Sequence, residues 1–339
     1  MTPDFDPAPL MAHLTALYGP AQMRLDRISG GQSNPTYFLN WGARDMVLRK
    51  QPAGPILPGA HAVDREFRVM AALHPLGGPV PRPLHFCADP QVIGTPFYLM
   101  ERVTGRVFAD AALPDAAPAE RRALWTGLAR ALAALQAVDP AAAGLADFGR
   151  PGDYYARQTA RWTRQWQASG AGPIPDLDRL ADWLAAHLPE PDDRVSIAHG
   201  DFRMGNVMFH PTEPRVVAIL DWELATLGHP LADVAFAGLA WHTGPDEYGG
   251  LAGLNRAALG LPEEADFIAA WRAALPGAPA PGPFHTAFAL FRFAVIWAGI
   301  ADRAAAGTAN DPATAARAAR LARALAARGA AVIQAAPGG

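Results

Sequence analysis

The chain has 339 residues, half of them hydrophobic, enough for a sizeable core and for two lobes. A formal net charge of -3 excludes the basic excess expected of a general nucleic-acid binder, and a single cysteine, Cys87, excludes an internal disulfide framework and a multi-thiolate metal site. The acidic start Met1-Thr2-Pro3-Asp4-Phe5-Asp6 lacks a charged-then-apolar signal pattern, so a reducing cytoplasmic location is expected.

Pro7 opens a short helix whose Leu10, Leu14 and Leu17 share a face, and Gly19-Pro20 stops it. Strand-like segments follow at 24–29, 36–41 and 45–50, separated by Gly30-Gly31 and Trp41-Gly42, which predicts an antiparallel sheet with a flexible glycine turn. Val63, Phe67, Met70 and Leu73 recur at spacings of three and four, so 61–74 reads as a helix. Two more strands are expected at 82–88 and 96–103, giving five strands and one inserted helix.

After Gly105 the pattern turns helical. Leu124, Leu128, Leu132 and Leu135 make 118–138 a long amphipathic helix, and others are expected at 153–167, 176–187, 231–241, 264–274, 284–304 and 312–328. The longest apolar run, Phe284 to Ala301, contains His285 and Arg292 and repeats its bulky positions at helical spacing; a buried helix is expected there and no membrane span. Pro312 and Gly329 suit the two ends of the last helix, whose Arg317, Arg320, Arg323 and Arg328 read as a solvated face. The expected class is α+β, with a small sheet lobe over 1–102 and a larger helical lobe over 103–339.

The most informative stretch lies in the second lobe. His199-Gly200-Asp201-Phe202-Arg203-Met204-Gly205-Asn206 is followed by the strand-like Val207-Met208-Phe209-His210, a turn-rich 211–215, and the apolar run 216–220 ending in Asp221. Two strands joined by a turn bring Asn206 and Asp221 to one end. Magnesium prefers oxygen ligands and keeps several waters, so an amide oxygen, one or two carboxylate oxygens and nucleotide phosphates make a plausible shell. Asp201, five residues before Asn206, is free to face an acceptor hydroxyl as base and orienter. Any one of these residues alone would more simply form a side-chain turn; the set in this order supplies each role of a phosphoryl-transfer site. His199 reads as packing under the loop. The chain has no Gly-x4-Gly-Lys-Ser/Thr loop, no His-Glu-x2-His pair and no Gly-x-Ser-x-Gly elbow.

This stretch resembles the aminoglycoside phosphotransferase family of small-molecule kinases, a branch of the protein-kinase-like fold, and within it the kinase domains related to those fused to acyl-CoA-dehydrogenase-like proteins. The resemblance rests on His199-Gly200-Asp201 through Asn206, on Ile219 to Glu223, and on Gly228-His229-Pro230-Leu231-Ala232-Asp233. Upstream it rests on Gly30 to Asn34, Arg49-Lys50, Arg65-Glu66 and Met100 to Gly105. It implies a bilobal fold, ATP with magnesium, and a small-molecule acceptor, with GTP left open as donor and the oligomeric state undetermined.

On the nucleotide side, Gly30 and Gly31 let backbone amides approach phosphate, and Gln32, Ser33 and Asn34 could add donors. A phosphate-contacting cation oriented by Glu66 is expected from Arg49 or Lys50; neighbouring strand residues face opposite sides, so only one can serve, and Arg49 is preferred. Backbone groups of Glu101 and Val103 should meet a purine edge. Glu223 is a further metal-ligand candidate. Asp147-Phe148-Gly149 spells a protein-kinase magnesium motif but precedes the catalytic loop, so it reads as a loop.

Arg203 lies inside the catalytic loop, and Arg157, Arg161 and Arg164 share a helix face. A basic acceptor side suits an anion better than a polycationic aminoglycoside. A hydroxy acid or hydroxyacyl thioester is expected; the alternatives are an aminoglycoside, amino-alcohol or sugar kinase, and a non-catalytic nucleotide-binding module.

Overall fold

A computed structural model describes residues 3–28, 34–54, 61–150, 152–305 and 312–336. Helix α1 (Pro7–Tyr18) begins at Asp6, whose carboxylate accepts the Ala8 N–H, and stops at Gly19, where φ is 80°. Five antiparallel strands follow: β1 (Met23–Arg27), β2 (Thr36–Trp41), β3 (Arg44–Lys50), β4 (Pro83–Cys87) and β5 (Phe97–Glu101), in the order β1-β2-β3-β5-β4. Helix α2 (Val63–Leu73) enters between β3 and β4, and the short α3 (Pro90–Ile93) between β4 and β5.

Alternation along the strands gives the sheet two different faces. Met46 and Leu48 of β3 join Tyr37, Leu39, Phe97 and Leu99 in a core closed by Leu10 and Leu14 of α1. Arg49 pairs in register with Tyr98, and residues paired across strands share a face. That second face carries α2.

The rest of the chain is mainly helical: α4 (Pro118–Gln136), α5 (Tyr154–Gln167), α6 (Pro175–Ala186), α7 (Leu231–His242), α8 (Glu264–Ala274), α9 (Pro283–Ala305) and α10 (Pro312–Gln334). Two small strand pairs sit among them, β6 (Ser196–Ala198) with β9 (Thr226–Gly228), and β7 (Val207–Phe209) with β8 (Val216–Ile219). Helix α9 is long and apolar enough to cross a membrane, but Phe288, Leu290, Phe291 and Val295 are buried in the protein's own core. Gly329 was expected to end α10, yet the helix runs on to Gln334. A Cβ at 329 would come within 2.7 Å of Leu180 Cδ1, so the glycine serves close packing of α10 on α6 instead of termination.

The lobes meet through α2. Arg65 Nη2 donates to the carbonyls of Phe148 (2.7 Å) and Ala225 (3.3 Å), its guanidinium lies 4.1 Å from the Phe148 ring centroid, and Arg68 pairs with Asp147. Asp147-Phe148-Gly149 is thus a docking loop for α2.

Candidate functional site

Strand β6 leads straight into the loop 199–206, and its pairing with β9 holds the incoming segment 221–225 alongside. Gly200 sits at φ 85°, where a Cβ would come within 2.6 Å of the Leu224 carbonyl oxygen, so glycine is required for both backbone conformation and space. The loop is clamped from below by Asp233 of α7, whose carboxylate accepts the backbone N–H groups of His199 (2.6 Å) and Gly200 (2.8 Å). Burial pushes the Asp233 carboxyl up, against the pull of His199 and those two donors. Arg292, buried in α9, donates to the Gly200 carbonyl and stacks near Trp162 and Phe236.

His199 is fully buried and works as a strut. Its Nδ1 accepts the Asp201 N–H (3.1 Å), which puts the ring proton on Nε2, and Nε2 then donates to the Leu220 carbonyl (2.8 Å). One imidazole therefore ties the residue carrying the candidate base to the residue preceding the candidate metal ligand. Neither Asp233 nor Arg292 had been assigned a role from sequence.

Asn206 directs its amide Nδ2 to the Asp201 carboxylate (2.6 Å) and carbonyl (2.8 Å), so the amide oxygen is the group left for a metal. Arg203 Nε lies 3.4 Å from Asp201 Oδ1, and its guanidinium lies 5.3 Å from the Tyr248 ring centroid. Leu220 N–H donates to the Asn206 carbonyl (2.8 Å), which seats Asp221 beside Asn206 at the open end of the β7–β8 hairpin. Burial raises the Tyr248 hydroxyl's pKa; Arg203 opposes this, while the carboxylates of Asp201 and Asp221 both add to it.

Asp221 adopts φ 64° and ψ 65°, a left-handed backbone unusual for a residue with a Cβ and typical of strained functional positions. Its carboxylate meets Arg49 Nη2 at 2.5 Å, and Arg49 Nε lies 2.9 Å from Glu66 Oε2. Burial works against a charged Arg49, but Glu66, Tyr98, Asp221 and Glu223 overcome it and hold the guanidinium firmly protonated. Burial raises Glu66 in turn, with Arg49 pulling the other way; Tyr98 (2.9 Å) and Asn34 (2.6 Å) donate to its carboxylate. A cation on β3, an acid on α2 and the acid after β8 thus form one chain across the cleft.

Several expected nucleotide contacts are redirected. Lys50 points to the opposite face of the sheet, buried with Asp4 (3.3 Å) and Phe5, because alternate residues of β3 face α1. It cannot reach a ligand in the cleft. Asn34 is buried and commits its amide to Glu66 and His61, so it braces the acid and does not present a donor to phosphate. Glu101 spends its amide on the Arg82 carbonyl (2.9 Å) and its exposed carboxylate on Arg82, leaving its own carbonyl for a purine; Val103 is half-buried just beyond. Gly30, Gly31, Gln32 and Ser33 lie outside the described residues. The donors of Asn206, Asp221 and Glu223 are all oxygen, the set that suits a hard cation such as magnesium.

A cavity of about 1470 Å³ opens beside Leu224 and Thr226, walled by Arg150, Arg157, Arg161 and Arg164. Its carboxylates are engaged elsewhere: Asp147 with Arg68, and Asp302 with the Gly170 N–H. Among the described residues no ion pair joins Arg157, Arg161 or Arg164 to an acid. Burial depresses the Arg161 pKa most, Arg292 and Arg150 add to this, and Tyr154 pulls the other way.

Residues 24–259 match the phosphotransferase enzyme family. A Ralstonia eutropha protein, provisionally described as an aminoglycoside phosphotransferase, is 42% identical and superposes with a TM-score of 0.87 over 98% of this chain and 99% of its own. Mouse acyl-CoA dehydrogenase family member 10 is 40% identical over 317 residues, covering 92% of this chain but 29% of that protein, so the chain spans under a third of this relative's length. A thermostable mutant of aminoglycoside phosphotransferase APH(4)-Ia, solved with AMP-PNP and hygromycin B, is 17% identical with a TM-score of 0.60 over 94% of this chain and 98% of its own, and shares the kinase-like fold.

Proposed function

We propose that this chain, which belongs to the phosphotransferase enzyme family, transfers the γ-phosphate of ATP to an alcohol acceptor, the hydroxyl of an anionic hydroxy acid or hydroxyacyl thioester. The observation that carries this reading is the line Glu66–Arg49–Asp221 lying next to the Asp201–Asn206 pair. In this mechanism Asp201 orients the acceptor hydroxyl and takes its proton. The hydroxyl oxygen bonds to the γ-phosphorus while the bond to the β,γ-bridging oxygen breaks, leaving ADP. Arg49, oriented by Glu66, contacts the phosphates. Asn206, Asp221 and Glu223 would hold magnesium, whose charge offsets that of the phosphate oxygens. The bound AMP-PNP of APH(4)-Ia supports ATP as donor, with GTP as the other candidate.

The arginine-walled cavity beside Leu224 favours an anion over a polycation. The name of the mouse relative, an acyl-CoA dehydrogenase, supports a thioester partner chemistry. The test is ADP release with a panel of hydroxy acids, hydroxyacyl thioesters and aminoglycosides, using Asp201→Asn as blank. Arg161→Ala should raise KM for the anionic acceptor by about 10-fold and leave KM for ATP unchanged. Equal turnover of the anionic panel, aminoglycosides and water would refute the acceptor assignment.

A further inference from the structure

On the face of the sheet away from the cleft, three side chains with metal-binding atoms converge. His13 comes from α1; His85 and Cys87 come from β4, two residues apart and so on one side of the strand. A register shift between Pro83 and His85 aims this end of β4. The two Nε2 atoms stand 3.0 Å apart, and one ring nitrogen of each histidine and the Cys87 sulfur all lie within 4.8 Å of one another. A tetrahedral zinc ion, with bonds of about 2.0–2.1 Å to nitrogen and about 2.3 Å to sulfur, needs separations of about 3.3 Å between nitrogens and about 3.6 Å from nitrogen to sulfur. The Nε2 atoms stand slightly closer than that and the sulfur lies within 4.8 Å of a ring nitrogen of each histidine, so binding requires side-chain rotation at the site.

We propose that His13, His85 and Cys87 form a binding site for one borderline-soft divalent metal ion such as zinc, with water as the fourth ligand, joining α1 to the edge strand β4. Its donor set of two nitrogens and a sulfur differs from the oxygen donors of the cleft, so the two sites select different ions. The imidazoles are half-buried and within reach of solvent, and the thiol is buried against the core that α1 closes. Binding replaces the hydrogen bond between the imidazoles with two metal–nitrogen bonds. The thiol loses its proton to solvent as the metal–sulfur bond forms, so each ion bound releases one proton from Cys87.

Cys87 is the sole cysteine of the chain, which makes cobalt a direct probe. Titrating the metal-free protein with Co²⁺ should produce a thiolate-to-cobalt charge-transfer band and tetrahedral d–d bands that saturate at one ion per chain. Zn²⁺ should displace both. Cys87→Ser should abolish the charge-transfer band, while His13→Gln and His85→Gln should each weaken binding at least about 10-fold. His13→Gln, in a half-buried position on the opposite side of the sheet, should leave phosphotransferase turnover unchanged. No charge-transfer band in the wild-type protein, or a band of full strength and affinity in both histidine variants, would overturn the proposal. Either result leaves the reading of the cleft standing, because that reading rests on oxygen ligands on the other face.

Discussion

Replacing Asp233 by asparagine should damage the catalytic loop without touching any group that meets substrate. The carboxylate accepts two backbone N–H groups, from His199 at 2.6 Å and Gly200 at 2.8 Å. An asparagine keeps one oxygen, so one bond to a charged acceptor is lost, worth about 1.5–3 kcal/mol, and one buried N–H faces an NH2 group at a further cost of about 1–3 kcal/mol. Part of this is offset, because burial already pushes the Asp233 carboxyl up and the neutral amide removes a desolvated charge. The net loss should be about 2–4 kcal/mol, a large share of the roughly 5–15 kcal/mol that holds a typical domain folded. In the surviving folded fraction, a shift of the loop displaces Asp201, and a misplacement of about 1 Å can cost about 10²-fold in turnover. Urea denaturation and ADP release measured on the same preparation check both numbers. A variant within about 0.5 kcal/mol of wild type, with full turnover, would show that Asp233 does not clamp the loop.

The two basic residues of β3 should separate cleanly: Arg49→Ala should raise KM for ATP at least about 10-fold, and Lys50→Met should leave it within about twofold while lowering Tm, as read by steady-state kinetics and thermal unfolding. His285 is pushed down from 6.5 to about 4, first by burial and then by His229, with Asp192 pulling upward and the ring of Tyr155 packed against it. Its folded pKa lies below the unfolded one, so the unfolded chain binds more protons between about 4 and 6.5, and stability falls as pH drops through that window, by at most about 3 kcal/mol. His285→Gln should flatten the fall in Tm between pH 7 and pH 4.5 relative to wild type; an unchanged slope would contradict the assignment.

That Asp201, Asn206 and Asp221 lie together was legible because their placement is local: a loop and a hairpin bring them to one place whatever surrounds them. The choice between Arg49 and Lys50 was not settled by alternation alone, since it depends on what covers each face of β3. The cover on the far side is α1, preceded by Asp4 and Phe5. Asn34 looked like a phosphate donor because it follows the glycines, and only the position of Glu66 on α2 makes it a brace. The supports of the loop were hidden for a similar reason. Asp233 and Arg292 act on Gly200 from 33 and 92 residues away, separations at which no local pattern reports contact. Gly329 reads as a helix stop by itself, and the approach of Leu180 overrides that reading. The pairing of β6 with β9 went unseen because strands of three residues carry too little alternation to detect.

The central claim is a division of labour between Asp201, which handles the acceptor's proton, and Asp221, which with Asn206 holds the metal on the nucleotide. Calorimetric titration of magnesium and ATP analogue into the two variants tests it most directly. Asp201→Asn should bind the magnesium nucleotide with near wild-type affinity while its turnover falls by about 10²–10⁴. Asp221→Ala should lose magnesium-dependent binding altogether. Equal, mild losses of binding and turnover in both variants would contradict the account.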